Sequence, residues 1–246
     1  MKYLITGVAG FIGFHLAKKL SKENVVYGID NLNNYYSKKI KIERLNKLKK
    51  NKNFKFVKLN LTNSVALKKF IQNKKFESII HLAAQAGVRY SITHPYKYIE
   101  SNVKAQISIL ELAKKINSFE HLIYASSSSV YGANKKIPFS TNDRVDNPVS
   151  LYGASKRAGE LITQSYSRMF NINCTGLRFF SVYGPWGRPD MAAYIFTKNI
   201  FENKTLDLFN FGRMERDFTF IDDIINGITP LIKIKKRKGN MQKSII

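Results

Sequence analysis

Lys2-Tyr-Leu-Ile-Thr-Gly7-Val-Ala-Gly10-Phe-Ile-Gly13 begins as a short apolar run and closes on three glycines at a spacing of three. Tyr3 to Ile5 reads as a buried strand, and the residues from Phe14 to Leu20 take up helical spacing, with Leu16 and Leu20 on one face. Strand, glycine turn and helix together set a helix N-terminus beside a phosphate. Gly7 permits the tight turn, Gly10 lets the backbone approach a pyrophosphate, and Gly13 lets helix and strand pack closely. The spacing is G-x-x-G-x-x-G, and such a triplet alone is weak, because glycine turns often do no more than join two elements.

The next strand strengthens the signal. Residues 24–29 end in Asp30, 17 residues after Gly13. An acid at that place hydrogen-bonds the ribose hydroxyls of an adenosine and repels a 2′-phosphate, which favours NAD over NADP. Lys38 and Lys39 lie within reach of a 2′-phosphate, and a strand-end turn residue is the plainer reading of Asp30.

Outward from this unit, strand-like and helix-like segments alternate to about Ile234. Further strands are expected at 54–59, 78–82, 121–125 and 172–180, with short ones at 205–209 and 213–220. Helices are expected from Ile40, Ile42, Leu45 and Leu48, from Leu67, Phe70 and Ile71, from Ile99, Val103, Ile107 and Leu110, over 152–170, from the residues after Met191 to Phe201, and after Asp222 and Asp223. This rhythm predicts an α/β fold, a doubly wound parallel sheet of Rossmann type, in which ligands bind outside the C-terminal strand ends.

Composition narrows the class. The 246 residues suffice for one large domain or two small ones, and 44% hydrophobic content supports a sizeable core. No run is long enough to cross a membrane, and the apolar N-terminus is needed as the first strand, so no membrane partner is expected and a cytoplasmic setting is. Cys174 is the lone cysteine, without metal-ligand companions, and reads as a small core residue; no metal is expected. The net charge of +24 would suit nucleic acid, but the basic residues are dispersed and not interleaved with aromatics. A solvated Lys- and Asn-rich surface is the reading, with no nucleic-acid partner and a field that attracts anionic ligands.

After the fifth strand comes Ser126-Ser127-Ser128-Ser129-Val-Tyr-Gly132, four consecutive hydroxyls at a strand end. Then Tyr152-Gly-Ala-Ser-Lys156 opens a helix, with Tyr152 and Lys156 one turn apart on one face. An ammonium beside a phenol lowers the phenol's pKa, giving a general base usable near neutral pH. The Tyr/Lys pattern also occurs at Tyr35/Lys39, Tyr131/Lys135 and Tyr194/Lys198. Only Tyr152 stands at a helix start, after a hydroxyl-rich strand end, in a dinucleotide-binding sheet.

On these motifs, over roughly residues 1–235, the chain resembles the extended short-chain dehydrogenase/reductase family, the NAD-dependent sugar-nucleotide epimerases and dehydratases. Ser126 to Gly132, Gly184-Pro-Trp-Gly-Arg188-Pro-Asp190-Met and Arg216-Asp-Phe-Thr-Phe-Ile-Asp-Asp look closest to its UDP-glucuronate 4-epimerase branch. The resemblance implies Ser127, Tyr152 and Lys156 as catalytic residues, with Tyr152 taking the proton from the sugar 4-OH while hydride passes from C4 to NAD and later returns to the other face. It implies backbone contacts to the pyrophosphate at Phe11 and Ile12, an asparagine on the cofactor side at Asn102, and further cofactor contacts at Asn31, Asn60, Leu61, Leu82, Ala83, Ala84, Gln85 and Phe179. For the sugar it implies Ser128, Ser129, Ser181 and Arg188 near a uronate carboxylate, which suits arginine chemically, and Arg216 on the UDP phosphates. Arg188 also reads as an ordinary surface residue, and Arg216 as a salt-bridge partner of Asp217. Ser128 and Ser129 stand where the family's dehydratases carry Asp-Glu and its decarboxylases a Glu, which argues against elimination. A homodimer and a place in supplying capsule or surface polysaccharide are implied as well.

Two departures stand out. Asn60 replaces a frequent Asp near the adenine, and the chain stops where the family normally continues. The expected organisation is a Rossmann domain at 1–180, an incomplete substrate-binding region at 181–235 interleaved with the sheet, and a basic tail at 236–246. A UDP-sugar epimerase acting on glucuronate leads. A UDP-glucose/UDP-galactose 4-epimerase and a truncated, non-catalytic NAD-binding protein stay open as alternatives.

Overall fold

The computed structural model describes residues 1–116, 119–213 and 215–234. The proposed tail at 236–246 lies outside them. Strands β1 (Lys2–Thr6), β2 (Val25–Asp30), β3 (Phe54–Lys58), β4 (Ser78–His81), β5 (His121–Ser127) and β6 (Cys174–Phe179) form one parallel sheet in the order β3-β2-β1-β4-β5-β6. That order, with its reversal between β1 and β4, is the doubly wound arrangement the alternation of elements predicts. Register brings the strand ends level: Thr6 pairs with Ile29 and His81, Asp30 with Lys58, and Ser127 with Phe179.

Helices cover both faces. They are α1 (Phe11–Leu20), α2 (Lys38–Lys49), α3 (Ser64–Ile71), the single turns α4 (Tyr90–Thr93) and α5 (Pro95–Tyr98), α6 (Ala105–Ala113), α7 (Leu151–Phe170), α8 (Ala192–Phe201) and α9 (Ile221–Ile232). Successive strand residues point to opposite faces, so Tyr3 and Ile5 join the core shared with α1, α2 and α9, while Leu4 joins the core shared with α3, α6 and α7. Helix α9 buries Ile221, Ile225, Ile228 and Ile232 at helical spacing and places Asp222 and Asp223 in its first turn, where they suit the positive end of the dipole.

Three expectations need correction. Residues 205–208 form no strand, and Phe209–Gly212 is a 3₁₀ turn; the second short strand shrinks to β8 (Phe218–Phe220), paired in parallel with β7 (Ser181–Tyr183). The helix expected to bury Ile99, Val103, Ile107 and Leu110 starts as a π-helical stretch over Ile99–Lys104. Wider π turns rotate the face, so Asn102, Gln106 and Ile109 turn inward while Ile99 and Ile107 are exposed. On α2, Ile42 is exposed and the inward face carries Lys41 and Arg44 with Leu45 and Leu48.

Candidate functional site

A cleft runs along the C-terminal strand ends. Its floor is the glycine turn. Gly7 has φ of +72°, and a Cβ there would sit 2.7 Å from the Ala83 nitrogen. A Cβ on Gly13 would collide with the Gly7 carbonyl oxygen, so helix α1 can start this close to β1 only without side chains at those positions. The first amides of α1, including those of Phe11 and Ile12, therefore open onto the cleft with the positive end of the helix dipole. Asp30 closes the adenosine side. Its Oδ2 accepts from the Ala9 amide at 3.1 Å and its Oδ1 from the Leu32 amide at 2.8 Å. Burial raises its pKa, and those backbone bonds and the charge of Lys41 pull it back down. A side-chain-free cradle, free helix amides and one fixed carboxylate fit a dinucleotide with an unphosphorylated ribose.

Every residue expected to touch the cofactor lines this cleft except Asn102. Asn102 is buried behind it. Its Oδ1 accepts from the Gln85 amide at 2.7 Å, and its Nδ2 donates to the Gln85 carbonyl at 3.0 Å and to Ser155 Oγ at 2.9 Å. Ser155 Oγ in turn donates to the Tyr152 carbonyl at 2.8 Å. The π-helical asparagine thus ties the end of β4 to the first turn of α7. Lys38 and Lys39 are exposed and outside the cleft, whereas Lys41 lies inside it, with Nζ donating to the Asn33 carbonyl at 2.8 Å.

Ser127, Tyr152, Lys156 and Arg188 all line the same cleft. Ser150 caps α7, accepting from the Gly153 amide at 3.0 Å, and a Cβ on Gly153 would sit 2.6 Å from the Ser129 carbonyl, so the serine turn packs directly onto the start of the helix. Burial raises the Tyr152 pKa, while a hydrogen bond with Ser127 and the charge of Arg188 lower it. Lys156 Nζ donates to the Ala125 carbonyl at 3.1 Å. Burial depresses its pKa to about 8, and Glu160 works against that shift. For the Tyr152 phenol the net direction is upward, against the lowering expected from Lys156, and the pull downward comes from Ser127 and Arg188 and not from the ammonium one turn away.

Ser128, Ser129, Ser181 and Arg216 do not line the cleft. Ser129 is held to the end of β5, accepting from Ser127 Oγ at 3.2 Å. Ser181 begins β7, its amide donating to the Asp217 carbonyl at 3.1 Å, and Arg216 is exposed and donates to the Glu215 carbonyl at 2.7 Å.

Several participants were not anticipated from the sequence. Fully buried Arg44 donates through Nη1 to the Ala9 carbonyl and to Tyr36 Oη, both at 2.8 Å, and through Nη2 to the Trp186 carbonyl at 2.6 Å. It clips the glycine turn to the loop that carries Arg188. Glu160 accepts from Ser126 Oγ at 2.6 Å, from Arg178 Nε and Nη2 at 2.9 Å each, and from Arg157 at 3.1 Å. Asp190 accepts from Arg188 Nε at 3.0 Å and from Tyr35 Oη at 2.8 Å. Spacing carried a signal for Arg44, because residues 41, 44, 45 and 48 fall on one helical face. For Asp190 and Tyr35, 155 residues apart, no local signal exists.

Comparison with known proteins places this geometry. The model of the NAD dependent epimerase/dehydratase family matches residues 3–242. Protein CapI of Staphylococcus aureus is 53% identical over 234 residues, covering 95% of this chain and 70% of that protein. A probable UDP-glucuronate 4-epimerase of Rhizobium meliloti is 46% identical over 241 residues, covering 98% and 70%. The crystal structure of UDP-glucuronic acid 4-epimerase from Bacillus cereus in complex with UDP-glucuronic acid and NAD superposes with a TM-score of 0.91 at 36% identity, over 100% of this chain and 76% of that one. Fold, glycine turn and matched length agree: this chain belongs to the NAD dependent epimerase/dehydratase family, and NAD is its cofactor.

Proposed function

We propose that the protein is a UDP-glucuronate 4-epimerase, interconverting UDP-glucuronate and UDP-galacturonate. The observation that carries the reading is that Tyr152 and Arg188 line one cleft with the glycine turn and Asp30. Bound NAD supplies a hydride acceptor that becomes a hydride donor, so the sugar is oxidised and reduced without net redox change. Tyr152 takes the proton of the sugar 4-OH and returns it when the 4-keto sugar is reduced on its other face. Ser127 bonds the phenol and offsets part of the rise that burial imposes on its pKa, and Lys156 adds positive charge from the next turn at pH values below about 8. Arg188 offers hydrogen bonds to the uronate carboxylate. Glu160 and Asp190 are both bound by arginine and neither lines the cleft, which supports epimerisation over elimination. Residues 1–180 are read as the cofactor-binding part and 181–235 as the sugar-binding part.

One observation favours a neutral-sugar epimerase instead: Asp190 already holds Arg188. The test is incubation of purified protein with UDP-glucuronate, followed by chromatography for UDP-galacturonate. Conversion is expected, lost in Tyr152→Phe with NAD binding kept. Undiminished turnover in Tyr152→Phe, or conversion of UDP-glucose but not UDP-glucuronate, would overturn the reading.

A further inference from the structure

Arg188 arrives at the cleft with part of its donor set already used. Nε bonds Asp190 Oδ1 at 3.0 Å, and Nη2 bonds Oδ2. Asp190 is itself gripped from across the cleft mouth by Tyr35 Oη at 2.8 Å. Tyr35 belongs to the loop that follows Asp30, and its ring packs against Tyr90 at 4.8 Å between centroids. Its hydroxyl reaches this position because residue 87 is glycine, with φ of +96°; a Cβ there would collide with the Tyr35 oxygen. The chain Tyr35–Asp190–Arg188 therefore joins the loop after β2 to the loop before α8.

A guanidinium has five N–H donors, and the side edge of Nε and Nη2 accounts for two. The end edge of Nη1 and Nη2 remains a second fork of the right width for a planar carboxylate. We infer that Asp190, steadied by Tyr35, is a positioning residue that holds the side edge of Arg188 and presents its end edge to the carboxylate of the sugar. This rests on the proposed function and deepens it. The pairing also shapes selectivity. Asp190 offsets the charge of Arg188 at a distance, so the arginine rewards a carboxylate in fork contact more than an anion merely nearby. A side chain as long as arginine has many rotamers, and fixing its plane in advance removes an ordering cost from substrate binding.

The test uses NAD-loaded full-length protein, with Kd for UDP-glucuronate and for UDP-glucose measured by calorimetry in wild type, Asp190→Ala and Tyr35→Phe. Loss of an aimed charge-assisted bond is expected to weaken UDP-glucuronate about tenfold or more in Asp190→Ala, and severalfold in Tyr35→Phe, with UDP-glucose and NAD binding within about twofold of wild type. A purely structural role would weaken both sugars alike. Unchanged UDP-glucuronate binding in Asp190→Ala would overturn the inference, and tighter binding would show Asp190 to be a competitor for the fork. If Asp190→Ala does not fold, Tyr35→Phe decides, since it keeps the Arg188–Asp190 charge pair. Wild-type protein with no preference for UDP-glucuronate would overturn the proposed function, and this inference with it; a preference that survives both substitutions overturns this inference alone.

Discussion

Replacing Glu160 by glutamine removes one negative charge from the most heavily bonded carboxylate near the site. The side chains of Glu160 and Arg178 are each 3% exposed, and Arg157, the second cation on this carboxylate, is 23% exposed. Burial raises the Glu160 pKa, but its bonds to Arg178, Ser126 and Arg157 outweigh that and hold it below the usual range. Glutamine keeps the shape, but it can accept at only one of the two positions and leaves Arg178, which lies over the Tyr131 ring at 4.9 Å, buried without a counter-charge. Breaking one side of a buried pair costs about 3–5 kcal/mol, against a total stability of about 5–15 kcal/mol for a domain. Urea denaturation of Glu160→Gln is therefore expected to lose about a fifth or more of the wild-type stability. The double variant Glu160→Gln/Arg178→Met is expected to recover part of it, because no unpaired cation remains. A loss below about 1 kcal/mol, or a double variant worse than the single by the full Arg178 cost, would refute the reasoning that the charge pair, not mere packing, organises this corner.

Gly13→Ala is expected to cost about 1–3 kcal/mol in thermal unfolding and to weaken NAD binding, since the new methyl meets the backbone of Gly7 and Val8, which cannot swing aside. Wild-type NAD affinity in that variant would contradict the close packing of α1 on β1. Burial holds His81 down to a pKa of about 3 and His121 to about 4. Both stay neutral in the folded chain while the unfolded chain takes up protons below about 6.5, so stability should be full above that pH and fall by up to about 1.4 kcal/mol per pH unit per histidine as pH drops toward 4. Denaturation curves at pH 7, 6 and 5 check this, and His121→Gln should flatten part of the slope; a pH-independent midpoint would refute it.

The local elements and the cofactor half of the site were legible in the sequence because their determinants are local. A strand, a glycine turn, a helix and Asp30 lie within 29 residues, and the fold follows from their alternation with later strands. Tyr152 and Lys156 were legible for the same reason, one turn apart on one helix. Where tertiary packing set the outcome, local reading failed. The π turns at Ile99–Lys104 rotated an apolar face that periodicity placed one register off, and they delivered Asn102 to the strand end. Ser181 and Arg216, to which the family resemblance and not local spacing pointed, stand at or beside the short β7–β8 ribbon and do not line the cleft.

The sequence by itself determined the parallel sheet, the dinucleotide turn and the phenol-lysine pair, because each is written in spacing over a few residues. Only the tertiary structure decided who holds the chemistry in place. Arg44 reaches Trp186 across 142 positions, Arg178 pairs with Glu160, and Tyr35 meets Asp190 across 155 positions. Those contacts depend on which loops the sheet order brings to the same edge, and a charged side chain's burial and partner are set there, since no periodicity in its own segment encodes them.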